Sequence, residues 1–115
     1  MQTWNLNEMA APAGARDPVV LNSGPDGRAL RIRLEPGQEL GDHQVKEYAY
    51  VVVLEGRVRL GGGEGAVQAE AGTLALYEPD ERRTISSPDG ARLLMLLSPW
   101  PGEGHYRGGD SPGSG

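Results

Sequence analysis

The chain contains no cysteine and no phenylalanine, sets a single lysine, Lys46, against ten arginines, and has no apolar run long enough to form a membrane-spanning helix. Without cysteine there are no disulfides, no thiolate metal sites and no cysteine nucleophile. With a formal net charge of -5, a pI near 4.9 and no basic stripe, nucleic acid is excluded as a partner, because phosphate binding depends on clustered lysine and arginine. No basic-then-apolar segment precedes an N-terminal cleavage site, so the expectation is a soluble, cytoplasmic protein that engages no membrane. At 115 residues the chain makes one domain, enough to bury about two thirds of its unfolded surface in a single core.

What the chain does have is punctuation. Eighteen glycines and nine prolines fall mostly between short apolar runs, where turns are needed. Residues 1–18 hold Trp4, Leu6 and Met9, but Pro12, Gly14 and Pro18 limit any helix to a turn or two, so the segment reads as an arm whose Trp4 packs on the body or on a partner subunit. In residues 29–34, Leu30, Ile32 and Leu34 alternate with Arg31 and Arg33, which predicts a strand with one apolar and one solvated face. Residues 48–54 are a continuous apolar run closed by Glu55 and Gly56, and residues 57–60 alternate again before a glycine-rich hairpin tip. Shorter runs follow at 66–70 and 73–77, a strand begins near Ile85, and residues 93–97 are all leucine or methionine. Eight or nine short strands separated by glycine, proline and aspartate turns predict an all-β barrel or sandwich. The body spans residues 19–98. A tail over 99–115 is too rich in proline and glycine for regular structure and is expected to be partly disordered.

Two stretches carry a resemblance. Residues 35–56 place Gly37 six residues before His43 and Gly56 thirteen after it; Gly72 opens a strand, Pro79 and Asp80 lie in the following turn, and Arg83 falls eleven residues after Gly72. This is similar to the two motifs of the cupin superfamily, and over roughly residues 28–98 the chain resembles a small, single-domain RmlC-like cupin. The resemblance implies a double-stranded β-helix, or jelly-roll barrel. It also implies a homodimer, since such small cupins commonly pair through sheet edges. Family members with intact motifs hold a transition metal on three histidines and a glutamate. Of those four positions this chain keeps only His43, the others being Val45, Ala49 and Arg83. The metal site is therefore read as degenerate, with no metal and no other cofactor expected, although Glu47 or His105 could rebuild a site around His43.

The barrel mouth then offers His43, Glu47 and Arg83, with Tyr48, Tyr50 or Tyr77 according to side-chain register, and Trp100 held between Pro99 and Pro101 to close one end. Glu47 is four residues beyond His43 and on the same side if the strand is unbroken. A planar, permanently charged guanidinium in an apolar barrel suits a carboxylate or phosphate. The expected function is metal-free binding of a small metabolite, with an anionic one the case that Arg83 suits. The alternative is a cupin enzyme: an isomerase or epimerase pairing His43 as base with a tyrosine acid, or a metal-dependent dioxygenase or isomerase with a rearranged site.

Overall fold

The computed structural model describes residues 1–7, 18–43, 45–62 and 65–100, and the side chains of all of these except 41–43. Among the described residues there are eight β-strands and no helix: β1 (Val19–Gly24), β2 (Gly27–Leu34), β3 (Glu39–His43), β4 (Tyr48–Gly62), β5 (Gly65–Glu70), β6 (Leu74–Tyr77), β7 (Arg83–Ser86) and β8 (Ala91–Ser98). All pairings are antiparallel. One sheet runs β1-β2-β8-β4-β6 and the other β3-β7-β4-β5, with β4 shared between them. The result is the curled all-β architecture expected, with strands from Val19 to Ser98.

Sharing β4 requires it to turn from one sheet into the other, and the sequence provides for this at Gly56. The expected pause after Leu54 is not a strand end: β4 runs on for 15 residues. Its register against β8 shifts between Val53 and Glu55, and Gly56 then adopts φ 84°. A β-carbon on Gly56 would lie 2.3 Å from the Gly90 carbonyl oxygen, so only glycine allows this approach of β4 to β8.

The core lies between the sheets. Ala49, Val51 and Val53 point inward from β4, facing Leu93, Met95 and Leu97 of β8 and Leu30, Ile32 and Leu34 of β2, while Val58, Leu60 and Ile85 close it from the second sheet. Each fully buried aliphatic side chain contributes roughly 1.5–3 kcal/mol.

One expectation about β2 is corrected. Arg33 is exposed and pairs with Glu35 at 2.8 Å, but Arg31, on the same outward face, is only 2% exposed. Period two gives the direction of a side chain and not what lies above it. Here the outward face near Arg31 holds Val19 and Leu94 as cross-strand neighbours, and one residue pair further along Arg92 donates to the carbonyls of Leu6 and Asn7, so the N-terminal arm lies over this part of the sheet. Trp4 itself remains 41% exposed.

Gly56→Ala should cost about 3 kcal/mol or more in urea unfolding, because backbone must move to accept the methyl group. Gly37→Ala, at φ 80° but with nothing within 4 Å, should cost about 1 kcal/mol. Equal losses would show that positive φ alone, and not the approach of β4 to β8, makes Gly56 necessary.

Candidate functional site

The strand alternation that builds the core also puts a cation into it. On β7, Arg83 and Ile85 point inward and Thr84 and Ser86 do not, so the guanidinium enters the barrel beside Met95. Arg83 is 9% exposed; its Nη2 donates to the Met95 sulfur at 3.6 Å, and its Nη1 is buried with no hydrogen-bond acceptor among the described residues. Burial pushes the Arg83 pKa below the usual arginine range, opposed by the electrostatic pull of Tyr77 and of Glu47. A guanidinium that has lost its water without gaining an acceptor is costly.

The space it meets is a cavity of about 140 Å³. Leu30 and Ile32 of β2, Leu40 of β3, Ile85 of β7 and Met95 and Leu97 of β8 form the wall. Val45 completes one side, held by the turn between β6 and β7: Asp80 donates its backbone N–H to the Val45 carbonyl at 2.8 Å and binds Lys46 through its carboxylate at 2.6 Å. Asp80 has φ 68°, a conformation glycine takes freely and aspartate tolerates. At the other end Pro18, Trp100 and Arg28 line the opening, the Arg28 guanidinium carbon lying 4.2 Å from the centre of the Trp100 ring.

The expected site residues divide accordingly. Arg83 and Trp100 line the cavity. His43 is the cross-strand partner of Arg83, after a bulge between Leu40 and His43, so the two motif positions do meet in backbone register; the His43 side chain and all of His105 lie outside the described residues, as does the expected disorder of the tail beyond Trp100. Glu47 is not on a strand continuous with His43, because β3 ends at His43 and β4 begins at Tyr48. It sits in the intervening bend, fully buried, where its charge acts on Arg83 without a hydrogen bond between them. Tyr48 and Tyr50 are exposed on the outer face of β4, and neither lines the cavity. Tyr77 is buried and donates its hydroxyl to the Gly61 carbonyl at 3.0 Å, away from the cavity wall.

Arg28 was not among the residues expected from sequence. The available signal was parity: it lies two and four residues before Leu30 and Ile32, on the inward face of the same strand.

The site does not fit the metal that the resembled motifs hold when intact. Val45 and Ala49 offer no donor atom, and at the third departed position Arg83 presents a permanent positive charge that repels a divalent cation. Among the described residues no three His, Cys, Asp or Glu side chains converge.

No family model matches the chain, and no curated protein matches its sequence. Solved structures do match its fold. A double-stranded β-helix protein from Klebsiella pneumoniae is 19% identical with a TM-score of 0.74, over 86% of this chain and 90% of its own. An RmlC-like cupin from Desulfovibrio desulfuricans is 19% identical with a TM-score of 0.75, over 86% and 97%. The cupin domain of Schizosaccharomyces pombe Cnp3 is 12% identical with a TM-score of 0.74, over 84% and 68%. Among the described residues of this chain no helix is long and apolar enough to cross a membrane.

Tyr77 offers a check on this interior. Burial raises its pKa above the ordinary phenol value near 10, so its contribution to stability is fully present below that value and is lost as pH climbs through it towards the folded-state pKa. Tyr77→Phe should cost about 1 kcal/mol at neutral pH, from the lost hydrogen bond to Gly61, and should flatten the decline in melting temperature above pH ~10. An unchanged alkaline decline would remove Tyr77 as its source.

Proposed function

Starting from a chain built on the cupin fold, a double-stranded β-helix, we propose that it binds a small anionic molecule inside the barrel without a metal, with Arg83 as the anchoring group. One observation carries this: the buried Arg83 Nη1, which has no acceptor among the described residues, stands at an apolar cavity of about 140 Å³. A bound carboxylate or phosphate oxygen supplies the missing acceptor, and a charge-assisted hydrogen bond in a water-poor site is among the stronger polar contacts available. Glu47 tempers the positive field at the site without occupying the fork.

Two observations favour binding over acid-base catalysis. The Tyr77 hydroxyl is committed to a backbone carbonyl, and Tyr48 and Tyr50 face outward, so no described tyrosine reaches the cavity to act as the acid. Calorimetry with a panel of small carboxylates and inorganic phosphate tests the anchoring role. Arg83→Met should lose tenfold or more in affinity, Arg59→Met on the exposed face of β4 should bind as wild type does, and Glu47→Gln should tighten binding several-fold by removing a competing negative charge. Equal binding by Arg83→Met and wild type would end the proposal.

The partner in this reading is a second copy of the chain. On the outer face of the first sheet, Tyr50 lies directly between Leu76 of β6 and Leu96 of β8, flanked by Tyr48 and Leu74. All five are between 38% and 63% exposed, which amounts to about 450 Å² of apolar surface if a large side chain offers about 200 Å² when fully open. That is as large as the largest apolar patch of a typical monomer, about 300–600 Å² and often functional, and with its rim it approaches the ~800 Å² per partner of a standard interface. The patch carries no formal charge, so two acidic copies can stack there, sheet on sheet, without opposing like charges at the contact. Light scattering should return about twice the 12.2 kDa chain mass, and Tyr50→Asp combined with Leu76→Asp should return the monomer with unchanged circular dichroism. A wild-type monomer at the concentrations where the double variant is also monomeric would rule this face out as the interface.

A further inference from the structure

We infer that the ligand is a monocarboxylate with a compact branched or aromatic hydrocarbon body, the carboxylate held by Arg83 and the body filling the cavity, with Arg28 and Trp100 closing over it. This rests on the reading of the cavity as an anion site and adds the chemical class. Three features select the class.

The first is the wall. Among the described lining residues, only the two arginines and the indole N–H of Trp100 are polar side-chain groups; Leu30, Ile32, Leu40, Ile85, Met95 and Leu97 offer carbon and one sulfur. A sugar or other polyhydroxylated molecule would leave its hydroxyls unpaired against them, which sites reject strongly, whereas a hydrocarbon loses nothing on leaving water. The second is the size. An apolar cavity of roughly 150 Å³ takes a benzene ring, so about 140 Å³ limits the body to about four to seven carbons and leaves no room for a nucleotide. The third is the geometry of the donor. One buried guanidinium presents a planar fork that matches the two oxygens of a carboxylate; a phosphate dianion brings a second charge and further oxygens, and beside Arg83 the wall offers them Ile85 and Met95.

Arg28 and Trp100 add the closure. The stacked pair stands at the opening, where the guanidinium is partly exposed and can meet the outer carboxylate oxygen or guide the anion inward, while the indole covers the apolar body. Trp100 therefore reports occupancy, once Trp4 is replaced by phenylalanine to leave one tryptophan.

The experiment titrates the full chain carrying Trp4→Phe with 3-methylbutanoate, 3-methylbutan-1-ol, gluconate and inorganic phosphate, following Trp100 emission and confirming each by calorimetry; benzoate and 1-naphthoate are compared by calorimetry alone. The expected order is 3-methylbutanoate and benzoate bound, the neutral alcohol at least tenfold weaker, and naphthoate, gluconate and phosphate without measurable binding. Arg83→Lys keeps the charge but loses the fork and should weaken 3-methylbutanoate by about fivefold to tenfold, which supports bidentate capture even if Arg83→Met does not fold. Gluconate or phosphate binding as tightly as 3-methylbutanoate, and doing so through Arg83, would overturn the hydrocarbon class while leaving an anion site in place. Naphthoate binding as well as benzoate would overturn the size limit. If no anion in the set binds, the class and the anion site fall together.

Discussion

A single strand belongs to both walls of this barrel, and it can do so only by turning sharply without surrendering its hydrogen bonds. β4 pairs with β6 and β8 through its first half and with β5 and β7 through its second. The turn is made where the register slips and Gly56 takes a left-handed conformation against the Gly90 carbonyl. Everything at the site depends on that bend. The first half of β4 positions β8, hence Met95 and Leu97; the second half positions β7, hence Arg83 and Ile85. The cavity is the space left between residues whose separation β4 sets.

Within that space the charge is carried by a side chain, which places different demands on the wall than a metal ion would. A metal ion is held by donor atoms that converge on it and leaves coordination positions open for ligand. Arg83 requires no convergent donors, brings its charge on its own side chain, and directs it through fixed N–H vectors. Valine and alanine are compatible with such a wall, because it does not have to supply ligands: Val45 lines the cavity and Ala49 packs in the core with no exposed surface.

What the sequence made legible follows from which constraints leave a mark on residue type. Gly37, Gly56 and Gly72 are all at positive φ, and their spacing was readable because backbone geometry restricts those positions. Alternation in Leu30, Ile32 and Leu34 gave the inward face of β2 correctly. Residues 48–54 were a different case: every residue there is apolar, so nothing in the run marked that Ala49, Val51 and Val53 face in while Tyr48 and Tyr50 face out. Arg31 failed for another reason, since its outward direction was right and its exposure was not; parity carries no information about the chain that lies over a face. Glu47 went astray because the break between β3 and β4 follows from the pairing of β3 with β7, a contact between distant parts of the sequence.

The two faces of the first sheet make opposite demands on the same strands. Inward, β2 and β8 line a cavity with Leu30, Ile32, Met95 and Leu97 and give up some packing contact there. Outward, β4, β6 and β8 hold large apolar side chains where a solitary sheet would carry polar ones. Burial of the outer face would add hydrophobic stabilisation to the strands that bound the cavity and offset packing lost inside. A barrel of 115 residues has little stability to spare. Keeping an internal volume open is therefore easiest when another surface of the same sheet is buried, which ties the cavity and the apolar outer face to one physical requirement.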